Sequence, residues 1–152
     1  IVDEARLAVF NLRRSERGHE DLPAAVSRLS QRVGLEAGVP VRFESTGACV
    51  TFGPEQEQCI LMLIREALYN AVRHAAPRSV SVAMRFEDGS LQVRVEDDGC
   101  GFDPAIAPAG GGHFGLIGMR ERVQKLGGEF QLTSARGKGT QVMLRVPWRA
   151  PV

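Results

Sequence analysis

The sequence predicts an α+β fold of two layers, with helices packed beside a mostly antiparallel sheet. Two strand-like runs, "SVSVAMRF" and "LQVRV", flank "EDGS", an Asp-Gly hairpin signal. Two more, "EFQLTS" and "TQVMLRV", flank "ARGKG". The helical segments do not alternate with single strands as a βαβ fold requires, which argues against a doubly wound sheet.

Each element has its own warrant. Val2, Ala5, Val9 and Leu12 recur at three, four and three, a short coiled-coil-like seam over residues 2–14. A terminal helix packing on its own domain fits that spacing equally well. "SERGHED" breaks the pattern as a polar linker. A helix is expected from Leu22 to about Ala37, with Pro23 suited to its first turn and Gly38 as its stop. "VPVRFEST" and "CVTF" are strand candidates. A long helix follows over 54–76, opened by Pro54 and closed before Pro77. After a Gly/Pro-rich loop at 99–115, Leu116, Met119, Val123 and Leu126 mark an amphipathic helix that Gly127–Gly128 terminates.

Composition excludes several classes. The 152 residues suffice for one full core, with 43% hydrophobic and 24% charged residues, as in ordinary globular proteins. A net charge of +1 gives no broad basic face for nucleic acid. No apolar run approaches the roughly 18–20 residues of a membrane span. Cys49, Cys59 and Cys100 form no C-x-x-C pair and leave one over, which favours a reduced, cytoplasmic setting. His19, His74 and His113 show no zinc-ligand spacing with them. The chain begins at Ile1, so it reads as a fragment, with any upstream targeting or membrane segment out of view.

Strand phase picks out two polar positions. Leu91, Val93 and Val95 define an inward face, and Asp97 is next in that phase. A buried carboxylate needs a polar partner; alternatively the strand ends at Glu96 and Asp97 is a turn residue. Thr140 continues the inward phase of Val142, Leu144 and Val146. Together the two could read the edge of a small polar heterocycle, the carboxylate accepting from an exocyclic amine. The hydroxyl, or a bridging water, would serve a ring nitrogen. Gly99, Gly101, Gly110–Gly112, Gly115 and Gly118 surround a helix start, a pattern suited to phosphate and equally to a plain flexible connection.

The long helix carries a polar stripe, Glu66, Asn70 and Arg73, at spacings of four and three. Asn70 offers oxygen to magnesium, Glu66 could orient or deprotonate an attacking group, and Arg73 can neutralise phosphate. The plain alternatives are a solvated helix edge or polar groups satisfied within the core.

"REALYNAVRHA", "DDGCGFD", "GGGHFGLIGMRER" and "GKGT" occur in order and resemble the N, G1, G2 and G3 boxes of the ATPase domain shared by histidine kinases, gyrase, heat-shock chaperones and MutL proteins. The resemblance covers about residues 40–148. Within that superfamily, "NAVRHA" and "GLIGMRERVQKLGG" look like sensor histidine kinases that partner NarL-type response regulators. The resemblance implies the Bergerat α/β sandwich, helices on one face of a mixed sheet, with ATP and magnesium as cofactors. It implies Glu66 as base, Asn70 as magnesium ligand, and Asp97 and Thr140 at the adenine, Thr140 through water. Gly99 and Gly101 would shape the pocket wall. Gly112, His113, Phe114, Gly115 and Leu116 would lie along the phosphates, with Arg73 and His74 nearby, and 103–114 would form a lid.

By the same resemblance, residues 1–16 are the end of a dimerisation helix, 17–40 a linker and first catalytic helix, and 41–149 the ATP-binding domain. The implied partners are the dimerisation and phosphotransfer domain of the same kinase, homodimeric at full length, and a response regulator. No acceptor-histidine motif is present: none of His19, His74 and His113 has the acidic neighbour and helical setting of an acceptor. Rival readings are a serine kinase of the anti-sigma-factor type, another ATPase of the superfamily, and a degenerate docking module.

Overall fold

The computed structural model describes residues 20–74, 77–103 and 114–148. The expected helix over 2–14 lies outside them, as do His19 and most of the expected lid. Among the described residues are three helices, α1 (Leu22–Ala37), α2 (Pro54–His74) and α3 (Phe114–Lys125). Five strands complete the fold: β1 (Val41–Thr46), β2 (Val80–Glu87), β3 (Ser90–Asp97), β4 (Glu129–Ser134) and β5 (Thr140–Pro147). The strands form one sheet in the order β1-β2-β3-β5-β4, antiparallel except for β1 with β2.

Helix ends follow local chemistry. Asp21 Oδ1 accepts from Ala24 N–H at 2.9 Å, satisfying one donor of the first turn of α1, and Pro23 sits where no N–H is needed. Gln56 reaches back so that its Oε1 accepts from Gly53 N–H at 3.2 Å, which fixes the entry to α2. Past α3, Gly127 N–H bonds Gln124 O and Gly128 N–H bonds Val123 O, both at 2.9 Å, the paired closure of a Schellman end.

The helices cover one face of the sheet. Leu22, Val26, Leu29 and Val33 of α1 are buried, as are Ile60, Leu61, Leu63, Ile64, Ala67, Leu68 and Ala71 of α2, with Met119 and Val123 of α3. They meet the alternating inward residues Val80, Val82 and Met84, Leu91, Val93 and Val95, and Val142, Leu144 and Val146. The opposite sheet face is polar, as period-two alternation requires of a two-layer fold.

One expectation fails. "CVTF", residues 49–52, forms no strand. Its apolar content is explained by burial of Phe52, with Val50 partly buried against the same core, and Thr51 O accepts from Trp148 Nε1 at 3.0 Å instead of joining a backbone ladder. A helix-proximal plug and a short strand look alike in four residues of sequence.

Candidate nucleotide site

Strand β3 does not stop at Glu96. The ladder runs on, so that Asp97 pairs with Val80 on one side and with Thr140 on the other. Asp97 is 7% exposed and is one of two buried polar residues, with Ser30, among the described residues. Its Oδ1 accepts from Gly99 N–H at 2.9 Å, so the residue is inward-facing and turn-forming at once. Burial pushes its carboxyl above the usual carboxylate range, and the charges of Asp98 and Glu96 push the same way. The backbone N–H groups of Gly99 and Thr140 pull against that rise without cancelling it.

The loop after β3 is clamped to the β4–β5 turn. Gly137 N–H donates to Cys100 O at 2.6 Å, and Phe102 N–H donates to Ser134 Oγ at 2.9 Å. Gly101 has φ +62°, and a Cβ there would overlap Ala135 O and Gly139 O. Gly139, at φ +75°, likewise lies against the Asp97 carbonyl. Here the glycines let backbone approach backbone rather than a ligand, and the result is a rigid wall beside Asp97.

Two residues that sequence reasoning missed support this wall. Asp98 Oδ1 accepts from Arg78 N–H at 2.7 Å and Ser79 N–H at 3.0 Å, and its Oδ2 accepts from Ser79 Oγ at 3.1 Å. The Ser79 N–H foremost, with these other donors, holds its carboxyl below the usual range. Ser134 ends the inward phase of Phe130 and Leu132, and period-two counting along β4 would have found it.

On α2, Glu66 and Asn70 are half-buried and Arg73 is exposed. Arg65 and Arg73 both lie over the Tyr69 ring, each 5.1 Å from its centre, and Tyr69 donates to Glu36 Oε2 of α1 at 2.9 Å. His74 is the last residue of α2. Gly112 and His113 lie outside the described residues; Phe114 and Gly115 open α3, and Leu116 is half-buried against the core. The structure thus joins Asp97, Thr140, Gly99 and Gly101 with Gly139 into one wall. Glu66, Asn70 and Arg73 form a separate polar edge on α2.

Residues 55–150 match the family described as histidine kinase-, DNA gyrase B- and HSP90-like ATPases. The chain belongs to that family. As a member of it, the chain is similar to an uncharacterized sensor-like histidine kinase of Chloroflexus aurantiacus, 32% identical over 150 residues, 95% of this chain and 25% of the relative. It is 29% identical over 147 residues to the oxygen sensor histidine kinase NreB of Staphylococcus carnosus, covering 97% of this chain and 42% of that one. The chain therefore spans between a quarter and about two-fifths of these relatives. Among solved structures, the histidine kinase domain of a blue-light activated histidine kinase from Erythrobacter litoralis superposes with a TM-score of 0.69 at 30% identity, over 84% of this chain and 61% of that one. The two-layer sandwich of this chain is the fold of that kinase domain. No helix among the described residues is long and apolar enough to cross a membrane.

Proposed function

We propose that this chain is the ATP-binding catalytic part of a sensor histidine kinase. On this reading residues 41–149 are the catalytic domain, 17–40 its linker and first helix, and 1–16 the end of a dimerisation helix. The observation that carries the proposal is the buried Asp97 carboxylate set opposite Thr140 at the end of the sheet. The Gly99 and Thr140 N–H groups offset only part of the cost of burying it, and an amine donor would offset more. Membership in an ATPase family supports ATP as that ligand; on this reading its adenine amine donates to Asp97 and Thr140 acts through water.

The α2 edge takes the phosphate end. Among the described residues there is no cluster of three His, Cys, Asp or Glu that could cage a metal. A half-buried amide such as Asn70 fits magnesium, which keeps several waters and takes its remaining ligands from phosphate. Bound there, magnesium would offset charge developing between the phosphates. Glu66 orients or deprotonates the attacking group, while Arg73 and His74 neutralise phosphate charge. Gly112, His113, Phe114, Gly115 and Leu116 line the triphosphate. Positioning and electrostatics carry the catalysis.

The γ-phosphoryl passes to a histidine on the dimerisation domain of the same kinase, homodimeric at full length, and then to a response regulator. The NarL type is favoured by the "NAVRHA" and "GLIGMRERVQKLGG" segments. The setting is cytoplasmic. Calorimetric titration with ATP, with and without magnesium, tests the site. Transfer from labelled ATP to a dimerisation domain of a similar kinase tests the activity. Failure to bind ATP refutes the nucleotide reading; binding without transfer to any histidine-bearing acceptor favours a docking module or a serine kinase.

A further inference from the structure

Among the described residues β1 pairs only with β2, so its other side is an open edge. Val80 N–H donates to Pro40 O at 3.0 Å, and Val41 stands in register with Val80, which fixes the parity of this parallel pair. The backbone groups of Arg42, Glu44 and Thr46 turn toward β2. Those of Val41, Phe43 and Ser45 turn to the open side, where each offers an N–H and a carbonyl. The apolar side chains at this edge are also incompletely covered. Val41 and Phe43 are half-buried, whereas Val80 and Val82, their neighbours across the ladder, are each 1% exposed. Leu35 of α1 is 86% exposed, and with Gly34, Val39, Pro40 and Val41 it lines a groove of about 420 Å³ between α1 and the start of β1.

The exposed charges of β1 select what can dock there. An edge guarded against pairing carries like charges or proline, but here Arg42 and Glu44 alternate with opposite sign. A second β1 running antiparallel must set outward residues against outward residues, so the register centres on Arg42, Phe43 or Glu44. Centred on Arg42, two guanidiniums face each other; centred on Glu44, two carboxylates do. Centred on Phe43, Arg42 of each copy faces Glu44 of the other, in the non-hydrogen-bonded pairs where side chains come closest. Every outward N–H and carbonyl of Val41, Phe43 and Ser45 then finds a partner. We propose that the β1 edge is an interface for a second copy of this chain, paired antiparallel about Phe43. A two-fold axis normal to the sheet joins two five-stranded sheets into one and keeps both helix layers on one side. The two α1 helices flank the axis, so each Leu35 and its groove lie where the other copy arrives. This surface is separate from the seam of residues 2–14 and adds to any pairing made through a dimerisation helix.

The test is a charge swap read by sedimentation velocity on the full chain over a range of concentrations. The wild type should dimerise. Arg42→Glu and Glu44→Arg each set like charges opposite one another twice, and each alone should raise the dimer dissociation constant about tenfold or more. Mixing the two variants restores opposite charges at both pairs, and the heterodimer should form within about threefold of the wild-type affinity. Loss of fold cannot imitate that recovery. Ser45→Pro removes an outward N–H without breaking a β1–β2 bond, and it should also weaken the dimer. A mixture of the charge variants that stays monomeric overturns the proposal. A dimer that none of the three substitutions weakens overturns it too and moves the contact to the seam of residues 2–14. A wild type that is monomeric at every concentration overturns it as well and leaves the groove to residues 1–19 of the same chain.

Discussion

Replacing Asp97 with Asn separates what the carboxylate does for ATP from what it does to the fold. Gly99 N–H holds Oδ1 at 2.9 Å, so an Asn keeps its carbonyl there and turns its NH2 the other way. One acceptor facing the adenine amine becomes a donor facing a donor. A hydrogen bond to a charged group is worth about 1.5–3 kcal/mol. A loss of about 2–3 kcal/mol corresponds to roughly 30- to 150-fold weaker ATP binding, with lost preference over GTP. The ligand-free protein should respond in the opposite sense. Burial holds the Asp97 pKa above its unfolded value, so its stabilising contribution is full below the ordinary carboxylate pKa and is lost as pH rises through the native pKa. At pH 7.5 an uncharged isostere escapes that loss, and Asp97→Asn should melt higher than wild type. ATP binding to the wild type should in turn weaken as pH falls toward that raised pKa, because the protonated carboxyl can no longer accept on both oxygens. Competition titration and thermal melts across pH 4.5–8 read both effects. An Asp97→Asn protein that binds ATP normally refutes the inward-facing argument.

Four further substitutions separate the other parts. Asn70→Asp sets a charge beside the triphosphate; at roughly 6 Å and an effective dielectric near 20 the repulsion is about 2–3 kcal/mol. Magnesium-dependent ATP affinity should drop accordingly by calorimetry, and unchanged affinity removes Asn70 from the site. Gly101→Ala and Gly137→Ala both force a side chain into left-handed backbone, about 1–2 kcal/mol. Only at Gly101 does the added Cβ also overlap carbonyls, whereas nothing lies within 4 Å at Gly137. Urea unfolding should therefore rank Gly101→Ala well below Gly137→Ala; equal losses refute the backbone clamp. Asp98→Ala removes the acceptor for Ser79 and Arg78 N–H and should lower the melting temperature at neutral pH. Because the native Asp98 pKa is depressed, its contribution is present above the unfolded pKa and is lost as pH falls through the native value. The gap between wild type and Asp98→Ala should close in acid.

Much of this was legible because side-chain period reports burial. The phase of Leu91, Val93 and Val95 carries to Asp97, and that of Val142, Leu144 and Val146 carries back to Thr140. Their pairing across the ladder was not written in either strand, since register depends on how β5 docks between β3 and β4. The Asp-Gly turn at 88–89 and the helix bounds at Leu22 and Ala37 were local signals and were readable. "CVTF" misled because one buried Phe in an irregular segment leaves the same trace as a strand. Gly101 was read as making room for a ligand, and Gly139 carried no reading of its own. Their partners, the carbonyls of Ala135, Gly139 and Asp97, come from loops over thirty residues apart, which no local pattern reveals.

The part of the candidate site proposed to take adenine is thus positioned largely by backbone and register. Asp97 is fixed by the β3–β5 ladder and by Gly99 N–H, and Thr140 by the same ladder and Ser134. The wall between them is held by Gly137 to Cys100 and Phe102 to Ser134. Hydrogen bonds to Gly99 N–H, Phe102 N–H and one another hold these side chains in place. A slip of β5 by one residue would turn Thr140 away from the ligand, and with it Val142, Leu144 and Val146 out of the core. The proposed base recognition and the core packing therefore depend on one register. On the proposed reading, base discrimination is best altered through the Asp97 and Thr140 side chains, and not by repacking the strands that carry them.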